Sequence, residues 1–266
     1  MILDYELLCT KVIAVTRLVG NFIRKESMNF DAKNIEFKGL NDLVSYVDKT
    51  AEEHLVANLA ELIPDAGFTT EEETVNSKGA VFNWIIDPLD GTTNFIHGVP
   101  TYSISIALYE DGAPVLAVIY EINRGEMFYT YKGGNAFLNH KIISVSKRNK
   151  LEDCLLGTGF PYYEFQKQVQ YMEVLSEMMR KCHGVRRIGS AAVDLAYVAC
   201  GRFDAFFEYN LNSWDVAAGA YLVQQAGGRV LNFKGGQEFL ETREILATNA
   251  LIDDELFEVM DKHFNP

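Results

Sequence analysis

The sequence predicts an α/β protein built of packed layers, and three observations predict it. From about Leu151 onward helical and strand patterns alternate, which argues for helices packed on a sheet. Before that, the runs YSISIALY, PVLAVIYE and EMFYTY follow one another across a turn at Asp111-Gly112 and stop at Gly133-Gly134, so this stretch reads as antiparallel. A chain of 266 residues also buries about three quarters of its unfolded surface and needs no staple. The predicted organisation is two intimately packed halves: an α+β half over residues 1–145 and an α/β half over 146–266.

Taken in order, the chain opens with an amphipathic helix, in which Leu8, Val12, Val15, Val19 and Phe22 recur at helical spacing. Asp4, Glu6, Lys11 and Arg17 interrupt any signal-peptide core or membrane span there. A short extended stretch at Ile35 to Phe37 precedes a second helix, expected over Asp42 to Leu62 and ended by Pro64 and Gly67. The apolar run Val81 to Ile86 reads as a buried strand. After the antiparallel stretch come LLGTGF, a helix over about Glu164 to Cys182, GVRRIG, a helix over Ser190 to Cys200, and DAFFEY. Trp214 to Gln225 is helical, GGRVLNF and EILATN are strands, and Asp253 to His263 closes the chain as a helix.

Composition narrows the function classes. The chain carries 24 basic against 37 acidic residues, a net charge of −13, which opposes broad binding to nucleic acid or an anionic membrane. Cys9, Cys154, Cys182 and Cys200 are widely spaced, so neither a disulfide framework nor a zinc site is expected, and scattered thiols fit a reducing cytoplasm.

The strongest local signal is Asp87-Pro88-Leu89-Asp90-Gly91-Thr92-Thr93. A buried strand ends, Pro88 fixes one backbone angle, and two carboxylates three residues apart can converge on one point. Hard oxygen ligands of this kind suit magnesium or calcium rather than zinc. Gly91 permits close backbone approach, and a helix starting near Thr92 would add free amides for an anion. By itself D-x-x-D-G is an ordinary turn. For the whole string, with each residue at about 5 to 10% usage, a chance match is on the order of one in 10⁶. Upstream, Glu71-Glu72-Glu73 follows the segment AGFTT and reads either as a solvated face or as a source of one further site carboxylate. Downstream, Asp215 opens a helix rich in Ala and Gly, either as its N-cap or as a metal ligand. Divalent cations would reconcile these carboxylates with a phosphate, which bare acids repel.

The order E-E, then W-I-I-D-P-L-D-G-T-T-N-F-I-H-G, then G-S-A-A, then W-D-V-A-A-G resembles the inositol monophosphatase family of lithium-sensitive, magnesium-dependent phosphatases, from Lys38 to Gly227-Gly228. The resemblance implies a layered αβαβα sandwich and hydrolysis of inositol monophosphate to inositol and phosphate by a metal-activated water, without a phosphoenzyme. It implies two or three magnesium ions: Glu71, Asp87 and the Leu89 carbonyl holding one, Asp87, Asp90 and Asp215 a second, and a weaker third near Glu71. Glu71, Thr92 and Asp48 are its catalytic residues, Thr92 bonding the attacking water and Asp48 orienting Thr92. Asp90, Gly91 and Thr92 meet the phosphate, while Gly189, Ser190, Ala191 and Glu208 meet the alcohol. Lys38 resembles a supporting lysine of the family, and His97, inside the motif, reads as a structural partner. A homodimer, lithium inhibition and a cytoplasmic location also follow from the resemblance. The same machinery acts in relatives on fructose 1,6-bisphosphate, a nucleotide phosphate or histidinol phosphate, and some bacterial relatives bind transcription machinery. The sequence has T-T where the family has glycine before the acid pair; register to Phe68 favours Glu71 over Glu72 as the ligand. Ser190 stands where threonine is common. Arg186-Arg187 fits a second phosphate or a dimer contact.

Overall fold

The computed structural model describes residues 3–30, 35–39, 42–160 and 166–264, with the side chains of 35–44 outside that description. Lys38 therefore has its backbone placed but its predicted supporting role lies outside the described residues.

Five layers stack in the order helices, sheet, helices, sheet, helices. The first helical layer is α1 (Tyr5–Ser27) and α2 (Tyr46–Leu62). It covers one face of a seven-stranded sheet, β3 (Gly67–Thr70), β4 (Phe82–Asp90), β5 (Ser103–Glu110), β6 (Ala113–Glu121), β7 (Glu126–Tyr131), β8 (Phe137–Leu138) and β9 (Lys141–Ile142), in that spatial order. The middle layer is α5 (Ala191–Ala199) and α6 (Ser213–Gln225). Below it lies a five-stranded sheet ordered β11 (Gly184–Arg186), β10 (Leu155–Thr158), β12 (Ala205–Tyr209), β14 (Glu244–Thr248), β13 (Arg229–Leu231). Helices α4 (Gln168–Lys181) and α8 (Asp253–Phe264) close the other side. A two-stranded pair, β1 (Ile35–Gly39) and β2 (Asp42–Ser45), and the short helices α3 (Thr92–Ile96) and α7 (Phe239–Thr242) complete the described elements.

Strand periodicity makes the layering. In β5 and β6, Ile104, Ile106, Leu108, Leu116, Val118 and Tyr120 point into the core under α1 and α2, while Ala107, Ala117 and Ile119 point into the core under α5 and α6. The second core is lined by alanines, so its helices approach closely. A Cβ on Gly219 of α6 would lie 2.5 Å from Leu195 Cβ of α5.

Two expected helix starts differ; α4 begins at Gln168, and its expected start at about Glu164 lies outside the described residues. The second helix begins at Tyr46 rather than Asp42, and residues 42–45 are strand. Ser45 stops it: its hydroxyl accepts the Val47 amide while its own amide donates to Asp48 Oδ2 at 2.9 Å, a reciprocal cap that fixes the first turn. No described helix is long and apolar enough to cross a membrane.

Candidate active site

The site forms where β4 ends. In a regular strand, residues three apart face opposite sides. Here the pairing of β4 with β5 shifts between Asp87↔Ser105 and Asp90↔Ser103, so one extra residue bulges out. The bulge turns Asp87 and Asp90 toward the same side, and the Leu89 amide donates to Asp87 Oδ1 at 2.9 Å to hold it. Gly91 then takes φ of 97°, and α3 starts. A Cβ there would press on the Gly189 carbonyl at 3.1 Å and the Thr101 carbonyl at 3.2 Å, so glycine lets two turns abut.

Glu71 arrives through a parallel register. β3 pairs with β4 as Thr70↔Ile86, so the next residue of each strand is Glu71 and Asp87. The Glu71 amide donates to the Ile86 carbonyl at 3.3 Å, and its carboxyl shares a hydrogen bond with Asp87. The loop that carries it is held by Glu52 of α2, a fully buried carboxylate. Glu52 accepts from Thr70 Oγ1 at 2.8 Å, the Glu72 amide at 2.8 Å, the Thr74 amide at 2.9 Å and Thr74 Oγ1 at 2.7 Å.

Asp215 comes from the first turn of α6. It is the third helical residue rather than the N-cap, which is Asn212; the Asn212 amide donates to Asp215 Oδ2 at 2.6 Å. Across the turn, Thr92 Oγ1 lies 2.9 Å from Asp48 Oδ1 and 3.0 Å from the Leu89 carbonyl, with one proton to donate between them. Asp48 is buried and also accepts from Ser45 Oγ at 2.6 Å.

The α5 turn docks on this frame. Ser190 Oγ and the Ala192 amide both donate to Asp90 Oδ2, at 2.6 and 2.7 Å. Asn94 uses its two amide protons on the Thr101 and Ile188 carbonyls, each at 2.8 Å, and so ties the Gly91 turn to the Gly189 turn. Ala191 begins α5. Glu208, on β12, lies close enough to feel the Asp215 and Asp90 charges.

The electrostatics have one dominant theme. Burial pushes Glu71 well above the usual carboxylate range, the Asp215 charge adds to this, and the bond with Asp87 opposes it. Burial likewise raises Asp87, helped by Glu71, Asp90 and Asp215. Asp90 is pushed up to about 6 by burial, against the Ser190 and α5 amide bonds and the Arg187 charge. Asp215 rises to about 7 by burial and Asp90, and Glu208 to about 8 by burial and Asp215. Burial also raises Asp48. Six neighbouring carboxyls whose ionisation burial opposes make one crowded acidic centre. Oxygen donors and excess negative charge fit a hard divalent cation. Among the described residues no three acidic, histidine or cysteine side chains are drawn into a tight metal-gripping group, so the fit rests on donor chemistry and charge.

A model of the inositol monophosphatase family matches residues 5–263. The chain belongs to that family. A protein named putative Nus factor SuhB from Neisseria meningitidis serogroup B is 42% identical over 93% of this chain and 95% of its own length. An inositol-1-monophosphatase from Mesorhizobium japonicum is 42% identical over 86% of each chain. The crystal structure of the extragenic suppressor protein suhB from Bartonella henselae superimposes with a TM-score of 0.91 at 36% identity, covering 96% of this chain and 99% of that one. The αβαβα sandwich expected from the sequence is therefore the observed fold of an inositol monophosphatase family member.

The structure brings together Asp48, Glu71, Asp87, Leu89, Asp90, Gly91, Thr92, Gly189, Ser190 and Asp215. His97 is exposed at the end of α3, outside this network of bonds. Glu52, Asn94 and Ser103, whose hydroxyl lies 3.2 Å from that of Ser190, were not singled out from sequence. Asn94 lies inside the T-T-N-F string, the one signal that pointed to it.

Proposed function

We propose that this protein is a magnesium-dependent phosphomonoesterase whose leading substrate is an inositol monophosphate. The observation that carries the reading is the convergence of Glu71, Asp87, Asp90 and Asp215 from three separate elements onto one buried centre, beside the Thr92–Asp48 pair. Glu71, Asp87, the Leu89 carbonyl, Asp90 and Asp215 would hold the magnesium. When bound, magnesium supplies the positive charge that a phosphate monoester and its leaving alkoxide need.

The chain's own groups do the rest. The Gly91 and Thr92 amides, in a first helical turn that has no internal acceptors, receive phosphate oxygens. Thr92 Oγ1 orients the attacking water, and Asp48, made more basic by burial, holds Thr92 in place and takes up the proton that reaches it. Ser190 and the α5 amides fix Asp90. Glu208 and the Gly189-Ser190-Ala191 turn face the alcohol. Phosphate-ester hydrolysis is among the slowest uncatalysed reactions, so charge stabilisation and positioning must supply most of the rate.

A phosphate-release panel tests substrate choice: inositol 1-phosphate, fructose 1,6-bisphosphate, histidinol phosphate and a nucleotide phosphate, each with magnesium and with added lithium. Preference for the inositol ester, inhibited by lithium, supports the reading. Preference for another ester keeps the mechanism and replaces the substrate.

A second reading has its own observation, the relatives named Nus factor SuhB at 40–42% identity. On that reading the fold presents a surface to the transcription machinery. With a net charge of −13 the partner would be protein rather than nucleic acid. Wild type inactive on every ester, with or without magnesium, would move this reading to first place.

A further inference from the structure

Strand β10 runs beside β12 in parallel register, Gly157 against Phe206 and Thr158 against Phe207. One step on, Gly159 is level with Glu208. Gly157 and Gly159 therefore share the face that looks toward α5 and α6, where Phe206 is buried. Each glycine carries a carboxyl on its bare backbone. A Cβ on Gly159 would lie 2.0 Å from Glu208 Cδ and 2.0 Å from both its carboxyl oxygens. A Cβ on Gly157 would lie 2.8 Å from Asp194 Oδ1 and 2.9 Å from the Phe203 ring.

The Glu208 carboxyl is thus confined. Below it is the Gly159 backbone, which cannot yield: Tyr171, fully buried on the other face, donates from its hydroxyl toward the Gly159 carbonyl at 3.0 Å and sits 2.6 Å from Thr158 Oγ1. Behind it is Asp194, 2% exposed, with an Oδ1 that has no hydrogen-bond partner and a charge that Glu208 repels. Ahead are Asp215 and Asp90, whose charges Glu208 also feels. Beside it Arg187 stands over the Phe160 ring, 5.9 Å from its centre, at the rim. The remaining direction for the carboxyl is toward Asp90 and Asp215.

We propose that Gly159 is a specificity-positioning residue: the bare backbone seats the Glu208 carboxylate low enough for a polyhydroxylated ring alcohol to fit between it and Asp90 and Asp215. The inference rests on the phosphatase reading above. A methyl group at 159 would meet the far end of a flexible side chain, so Glu208 shifts toward Asp90 and Asp215 and the fold stays intact. A ring-sized alcohol then loses room, while a slim ester is less affected.

The test is a double-mutant cycle on full-length protein with magnesium, using Gly159→Ala, Glu208→Ala and the pair, assayed on inositol 1-phosphate and on ethyl phosphate. Urea midpoints for all four proteins report folding. In the wild-type background, Gly159→Ala should lower the ratio of kcat/KM for the inositol ester over ethyl phosphate about tenfold, chiefly through KM. In the Glu208→Ala background, where the three atoms nearest the methyl are gone, the same change should move the ratio less than about twofold. An equal drop in both backgrounds, or no drop in the first, overturns the assignment while leaving the phosphatase reading intact. Wild type inactive on both esters overturns that reading and the specificity role together, and additive urea midpoints in that case overturn the contact as well.

Discussion

Asp90 and Glu52 show what single residues must do here. Asp90 accepts Ser190 Oγ and the Ala192 amide through Oδ2, which ties the acidic centre to the start of α5. Glu52 never reaches that centre, yet its four accepted hydrogen bonds shape the loop that delivers Glu71. Replacing a buried acid that accepts four hydrogen bonds by an amide leaves bonds unmade at about 2 kcal/mol. Glu52→Gln should therefore lose about that much stability in urea and weaken magnesium dependence; a variant unchanged in both would show that the loop holds itself. Thr92→Val removes the hydroxyl between Asp48 and Leu89 while keeping the shape. Phosphate release should fall on the order of 10²-fold, as for loss of a positioned proton-transfer group, with the urea midpoint nearly unchanged. A loss under about threefold would remove Thr92 from the chemistry. Glu52 was invisible in the sequence because the Glu52-Glu53 pair in a helical pattern reads as solvated surface; only its burial reveals it.

At the scale of elements, the bulge in β4 and the close contact of α5 with α6 decide the geometry. The D-P-L-D-G string announced a turn with two converging carboxylates, and it is there. Its cause, the register shift against β5, lies in a partner strand more than ten residues away and no local pattern encodes it. From the residues alone Glu71 was one of three acids, and register to Phe68 in the family resemblance favoured it; the parallel pairing of β3 with β4 puts it level with Asp87. The N-cap reading of Asp215 failed by three residues because Asn212 caps the helix instead. Helix α6 carries Asp215, Ser190 caps α5, and Gly219 lets the two helices meet. Gly219→Ala should cost about 1 to 3 kcal/mol by overpacking and reduce activity through displacement of both helix starts. Chemical denaturation and phosphate release should fall together; stability loss with full activity would mean that the helices shift without moving the site.

At the scale of the molecule, net charge and the buried acidic centre link pH to stability. Asp90 and Asp215 sit at about 6 and about 7, above the ordinary range of an unfolded carboxylate. Between those limits the folded protein binds more protons than the unfolded chain. In chelator, the contribution of these groups to stability therefore falls as pH rises from about 5 through 7. Magnesium needs the ionised forms, so its stabilising effect should grow over the same interval and fade below about pH 6. Melting curves in chelator and in magnesium, from pH 5 to 8, check this; a magnesium shift independent of pH would contradict it. Glu177, joining α4 to α8 through Lys262 and His263, runs the other way. Those partners hold it at about 2, so its contribution is present above the usual glutamate range and is lost as pH falls toward 2.

The central claim is that the four converging carboxylates bind the magnesium that phosphate hydrolysis requires. The most direct test is the initial rate of phosphate release from inositol 1-phosphate against magnesium concentration, for wild type and Asp87→Asn. The account predicts saturating dependence on magnesium in the wild type, no rate in chelator, and a loss on the order of 10³-fold or more in the variant, as expected when a preorganised charge is removed. A wild-type rate indifferent to magnesium, or an Asp87→Asn protein with full activity, would contradict it.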